Sequence, residues 1–357
     1  MSPNIDIFAG KNALSLIRDG GLVPDMVEVA AGAAGGPKWL ILYHLDKLIF
    51  SSWITRRTRP LFLIGSSIGA WRFAALSQKD PSASIQKFKE AYIHQAYSEK
   101  PSPEEVTRET KRIMNTFLDD SGIHEILNHP YLRLNFMAAY CKPIAASDHP
   151  ALLAPAILFS AFMNLIDRRL LKWFYKRTLF YHPKSIPPFM NMNQFPVIKT
   201  PLDDKNIRDA LLATGSIPLV MSRVKNIPGA PPGVYRDGGI IDYHLDIDFI
   251  NRNDKIVLYP HYMGRIIPGW FDKKLPHRKP DSNRMASVLM ISPSRDFVSK
   301  LPFGKISDRN DFFLFKGKDK ERIAYWKTVL AMGKYLAEDF HDALESGRIR
   351  HLVQPLN

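Results

Sequence analysis

The stretch Leu61–Leu76, LFLIGSSIGAWRFAAL, governs the reading of everything around it. Leu61 to Ile64 is a compact apolar run that suits a buried strand, and Ala70 to Leu76 has the character of a helix. Between them lies Gly65-Ser66-Ser67-Ile68-Gly69, a G-x-S-x-G. A serine on a tight strand-to-helix turn holds a strained backbone conformation, and side chains two residues to either side would collide there. Glycine at 65 and 69 removes the collision and leaves the Ser67 hydroxyl at a helix N-terminus, where the dipole favours developing negative charge. Ser67 is therefore a candidate nucleophile, with Gly65 and Gly69 forming its elbow. A simple glycine turn is the bland alternative.

Upstream, Asp25 to Ala31 (DMVEVAA) is a short β-type run ending in Gly32-Ala33-Ala34-Gly35-Gly36-Pro37-Lys38, and Trp39 to Ile49 follows with apolar residues at helical spacing. Strands alternating with helices predict an α/β fold with a mainly parallel sheet covered on both faces. Small residues in the loop let backbone N–H groups reach an anion, either a phosphate or an oxyanion. The loop matches neither G-x-x-x-x-G-K-[ST] nor G-x-G-x-x-G, so neither nucleotide-binding fingerprint is met. Downstream, Arg236-Asp237-Gly238-Gly239 closes a short strand, Val234 to Arg236. A carboxylate at a strand end, with two glycines permitting close approach, can meet another side chain; alone, the same residues make a common β-turn.

In this order the three features resemble the patatin-like phospholipase family, which carries a glycine-rich oxyanion loop, a G-x-S-x-G elbow and an Asp-Gly-Gly or Asp-Gly-Ala. Here they fall on Ala34 to Lys38, Gly65 to Gly69 and Asp237 to Gly239, and Ala210 to Pro218 (ALLATGSIP) is similar to the family's segment ending in Ile-Pro. The resemblance spans Val27 to His244 with a gap from Pro81 to Lys199, where no motif matches. It implies a three-layer α/β fold and a Ser–Asp dyad, with Ser67 as nucleophile and Asp237 as its base. It also implies an oxyanion hole from Gly35 and Gly36 with Lys38 beside them, and Gly238 and Gly239 supporting the aspartate. It further implies no metal or organic cofactor. Ala34 stands where the family has its first glycine, and Trp39 where a glycine follows the basic residue.

The expected activity is lipid acyl hydrolysis of a phospholipid or other acyl ester through an acyl-enzyme. An acyltransferase using the same intermediate, and a non-catalytic lipid-binding protein of the same fold, are the competing readings. A conventional triad would draw on His244 or His261, although a serine this early in the strand order and a histidine this close to Asp237 favour a structural role for His244. The acids Asp242, Asp246 and Asp248 alternate as on a solvated face, and nothing completes a metal set with them.

The 357 residues are read as one α/β domain, 1–357, with a helical insertion at about 81–190 and a C-terminal helical stretch at about 319–346. With 45% apolar and 24% charged residues the chain is globular, and its single cysteine, Cys141, excludes an internal disulfide framework. The 49 basic against 35 acidic residues leave a charge of +14, which favours anionic partners. No nucleic-acid module is recognised, so a peripheral contact with anionic membrane is the expectation. Met1 to Gly20 lacks the pattern of a secretory signal, giving a cytoplasmic, membrane-associated expectation. His149 to Ile166 is uncharged but short and interrupted by Pro150 and Pro155, and reads as a buried or interfacial helix. Arg168 to Lys184, taken as a helix, places cations beside Trp173, Phe174 and Tyr175 and suits either a membrane interface or an amphipathic core helix. The loop Lys273 to Arg284, next to Trp270 and Phe271, is a second basic patch.

Overall fold

Apolar and aromatic runs build the sheet in a computed structural model, which describes residues 4–55 and 57–356. The strands are β1 (Ile5–Ala9), β2 (Val27–Gly32), β3 (Leu61–Ser66), β4 (Leu132–Cys141), β5 (Tyr175–Tyr181) and β6 (Val197–Pro201), followed by β7 (Val224–Lys225), β8 (Val234–Asp237), β9 (Ile256–Pro260), β10 (Val288–Pro293) and β11 (Val353–Pro355). They form one sheet in the order β11-β1-β10-β9-β2-β3-β4-β5-β6, with β8 joined to β4 and β7 to β8. The centre, β10-β9-β2-β3-β4, is parallel throughout. β3, β9 and β10 are buried along their whole length, so both faces are covered, as the continuous apolar runs of a parallel sheet require.

The helices before the C-terminal third are α1 (Lys11–Gly20), α2 (Tyr43–Leu48), α3 (Ile68–Leu76), α4 (Pro81–Ile93), α5 (Pro103–Phe117), α6 (Asp120–Asn128), α7 (Pro150–Ile166) and α8 (Ile207–Gly215). Their starts follow local chemistry: Ser102 accepts from the Glu105 amide at 3.2 Å ahead of Pro103, and Asp80 accepts from Ala83 ahead of Pro81. The C-terminal stretch is two helices, Asp319–Met332 and Lys334–Glu345, broken at Gly333.

One segment differs from its sequence reading. The 81–190 insertion is not wholly helical, because β4 and β5 lie within it as members of the sheet. Polar residues disguised β4. Asn135 is fully buried, yet its amide donates to the Leu63 and Arg133 carbonyls and its oxygen accepts from the His182 amide. Likewise Arg168 to Lys184 is no continuous helix: a 3₁₀ turn at Arg168–Trp173 leads into β5. The Arg177 charge is tolerated inside the sheet because Asp242 pairs with it at 2.6 Å. Asp242 itself is therefore buried and does not belong to a solvated face.

The pairing of β4 positions the site. At Phe136 and Met137 it bonds β3 on one edge and β5 on the other; at Ala138 to Cys141 it bonds β8 and β5. β3 and β8 thus share one edge of β4 and meet end to end. Ser66 lies opposite Met137 and Asp237 opposite Ala138, the next residue along. Distant parts of the chain are brought together by a single step of register.

Candidate active site

Ser67 occupies the turn between β3 and α3 with φ 53° and ψ −125°, a conformation that costs an L-residue about 1–3 kcal/mol and persists only where the surroundings enforce it. Gly69 shows how: a Cβ there would lie 2.1 Å from the Gly32 carbonyl oxygen, so the elbow closes against the glycine loop only without a side chain. Gly65 faces the same crowding from the start of α3. The Ser67 amide donates to Thr214 Oγ1 at 2.9 Å, and the Thr214 hydroxyl donates in turn to the Met137 carbonyl.

Ser67 Oγ donates to Asp237 Oδ2 at 2.7 Å. The other carboxylate oxygen, Oδ1, accepts from the Gly239 amide at 2.7 Å, which fixes the orientation of the group. The Asp237 amide donates to the Ser216 carbonyl at 2.9 Å, so the end of α8 holds both partners, Ser67 through Thr214 and Asp237 through Ser216. Burial pushes the Asp237 carboxyl above its ordinary value, and this outweighs the lowering by Arg309, the Ser67 hydroxyl, the Gly239 amide and Lys273.

The glycine loop runs beside this pair. Gly36 has φ 58°, left-handed backbone that suits glycine. Among the described residues neither the Gly35 nor the Gly36 amide donates a hydrogen bond within the protein, whereas the Ala34 amide donates to the Tyr243 carbonyl. The loop is anchored from behind. The Ile267 amide donates to His244 Nδ1 at 2.9 Å, which assigns the proton to Nε2; Nε2 then meets Tyr262 Oη at 2.6 Å, and that hydroxyl donates to the Ala34 carbonyl at 2.6 Å. Both ring nitrogens of His244 are thereby committed, and burial, with His261 and Lys38 nearby, keeps the imidazole neutral. His261 is likewise buried and pushed down to about 3. Neither histidine lines the cavity at Ser67.

Trp39 turns away from the loop. It is fully buried and stacks on Phe88 of α4 with ring centroids 4.7 Å apart, so the departure from glycine at this position is absorbed by the core. Asp246 and Asp248 each approach Arg284 at 3.5 Å.

Two cavities meet at Ser67. The smaller, about 250 Å³, is lined by Asp237, Gly35, Gly239 and Lys38 together with Tyr243, Trp270, Lys273, Asp308 and Arg309. The larger, about 580 Å³, is mainly apolar and is walled by Trp71, Ile113, Met221, Phe312 and Phe315, with Ile217 and Arg309 lining both cavities. Gly65, Gly69 and Gly238 lie beneath the site rather than on its walls.

Sequence reading missed Thr214, Tyr262 and Arg309, and it placed Lys273 in a basic surface patch, whereas the structure puts it in the cavity at Ser67. Thr214 sits inside the ALLATGSIP segment and could have been singled out there. Arg309 comes from a loop with no pattern, and only the fold carries it to the glycine loop, where a Cβ on Gly36 would stand 3.0 Å from its Nε. No protein-family model matches the chain, and no curated protein matches it at a significant level.

Proposed function

We propose that this chain is a serine acyl hydrolase of the patatin-like type, built as a three-layer α/β fold, which cleaves a phospholipid or other acyl ester. The observation that carries the reading is the 2.7 Å bond from a strained, glycine-flanked Ser67 to a buried Asp237. In this reading Ser67 Oγ attacks the acyl carbonyl as its proton passes to Asp237 Oδ2. The raised affinity of Asp237 for a proton suits a base, and the Gly239 amide keeps the accepting oxygen aimed at the serine. The Gly35 and Gly36 amides, uncommitted and next to the serine, stabilise the tetrahedral oxyanion; each such donor is worth about 10²–10³ in rate. The intermediate collapses to an acyl-Ser67, Asp237 gives its proton to the departing alkoxide, and the same carboxylate then activates the water that releases the acid.

The apolar cavity of about 580 Å³ has the size and lining for an acyl chain whose carbonyl reaches Ser67. Lipid would come from a membrane face formed by α7. That helix carries no charge, yet Leu152, Leu158, Phe159, Phe162, Leu165 and Ile166 are all about half exposed or more. Exposed Trp173 follows it. The cationic loop that bears Lys274 and Lys279 abuts its C-terminal end, where Arg278 donates to the Asn164 and Leu165 carbonyls. An apolar face rimmed by cations, on a chain of charge +14, fits an anionic lipid surface. No helix among the described residues is long and apolar enough to cross a membrane.

Hydrolysis of a mixed lipid extract by the native chain, by Ser67→Ala and by Asp237→Asn tests the reading. Release of fatty acid by the native chain alone is expected, and release that survives both substitutions overturns it. Adding an alcohol acceptor separates hydrolysis from acyl transfer, because a transferase forms the new ester in place of free acid.

A further inference from the structure

We propose that Lys38, Lys273 and Arg309 form an anion subsite beside Ser67, and that it selects acyl esters whose alcohol portion carries a phosphate. The three cations line the smaller cavity together, on three separate segments of the chain. Among the described residues none of them is in an ion pair. Two carboxylates face them. Asp237 is engaged by Ser67, and Asp308 is engaged by Lys305 at 3.1 Å. Three cations thus face two carboxylates, one of which already has Lys305 as its partner, and the chamber keeps a positive balance.

The positions of the cations are built. Lys38 Nζ lies 5.0 Å from the centroid of the Tyr262 ring, and Lys273 Nζ lies 4.2 Å from that of Tyr243, so each ammonium is steered by an aromatic face. Arg309 packs against Gly36 and borders both cavities, at the point where an ester would bridge them. Burial first, then the charges of Arg309 and Lys38, push the Lys273 ammonium down to about 7, a strain that a bound anion would relieve. With about 250 Å³ the chamber falls below the usual span for a drug-sized ligand and suits a headgroup rather than a chain. A phosphate monoester, near two negative charges and rich in acceptors, matches a guanidinium flanked by ammoniums better than a single carboxylate does. The position of the ester rests on the acyl-hydrolase reading; the binding of the anion does not.

The test has two arms. Calorimetry measures glycerol 3-phosphate and succinate against the native chain, Ser67→Ala, Arg309→Gln and Lys273→Met. Glycerol 3-phosphate binding by the native chain and Ser67→Ala, weaker succinate binding, and an affinity for phosphate at least about tenfold lower in either cation variant are expected. Lys273→Met, at the solvent-facing mouth, guards against a misfolded Arg309 variant. In the second arm, kcat/KM is compared for an acyl-glycerol phosphate and the same acyl-glycerol without phosphate, at short and long chain lengths. A preference of about tenfold or more for the phosphate ester, reduced by Arg309→Gln, supports the subsite. Such a preference at both chain lengths identifies a soluble phosphate ester as sufficient, and one confined to the long chain identifies a lipid headgroup. Absence of glycerol 3-phosphate binding overturns the proposal even if esters are hydrolysed. Binding without hydrolysis of any ester leaves the subsite standing and removes the hydrolase reading.

Discussion

A carboxylate that takes a proton from serine needs proximity, a fixed orientation and a proton affinity above that of a free aspartate. Asp237 has all three, through Ser67, Gly239 and burial. The sign of its pH dependence follows. In the proposed mechanism Asp237 works only when deprotonated, and its raised pKa means that the charged form is lost at a higher pH than for a solvated carboxylate. On acidification kcat/KM falls through a single limb placed above the ordinary aspartate range, and Asp237→Asn lowers kcat/KM about 10²–10⁴-fold at neutral pH. A pH–rate profile that stays flat down to the range of free carboxylates contradicts this assignment. Lys273 gives the opposite limb. Its ammonium, facing Arg309, Lys38, Asp237 and the Tyr243 ring, is lost as pH rises through about 7, so KM for an anionic ester rises there while that for a neutral ester does not. At the same scale, Thr214→Val leaves the Ser67 amide buried without an acceptor and costs about 1–3 kcal/mol, read as a lowered midpoint in urea. Ser67 and Asp237 were legible because their glycines are dictated by backbone crowding. Arg309 was not, because a lone cation in a loop leaves no pattern, and Lys273 was visible only as part of a basic loop whose placement at the site needed the fold.

Among the elements, the glycine loop depends on a relay from outside its own segment, Ile267 to His244 to Tyr262 to Ala34. Removing the Tyr262 hydroxyl with Tyr262→Phe frees the Ala34 carbonyl and loosens the amides of Gly35 and Gly36. A fall in kcat of up to about 10²-fold with little change in KM is expected from steady-state kinetics, since such donors act on the transition state. An unchanged kcat would mean that the loop is held by other means. β2 was readable as a short β-type run and β3 as a compact apolar one. β4 and β5 were not, because Asn135 and Arg177 are polar residues satisfied only by partners remote in sequence. Trp39 illustrates the same limit from the other side: a large side chain beside a site looks disruptive until its stacking on Phe88 is known.

For the whole molecule, the alternation of strands and helices was enough to anticipate a mostly parallel sheet, while the junction of β3 and β8 on one edge of β4 could come only from the fold. Part of the positive charge, the loop that bears Arg278, lies at the C-terminal end of the exposed apolar face of α7. Flotation with vesicles should show stronger binding to anionic than to neutral lipid, and Phe162→Glu should weaken both because it places a charge on the apolar face. Equal binding to the two vesicle types would remove the electrostatic part of this picture.

Reaction of the native chain with a fluorophosphonate, followed by peptide mass spectrometry, tests the central claim most directly. A single phosphonyl adduct on the peptide bearing Ser67, slowed by Asp237→Asn and absent in Ser67→Ala, is the predicted result. A native, folded chain that takes up no label, or carries it on another residue with Ser67 unmodified, would contradict the account.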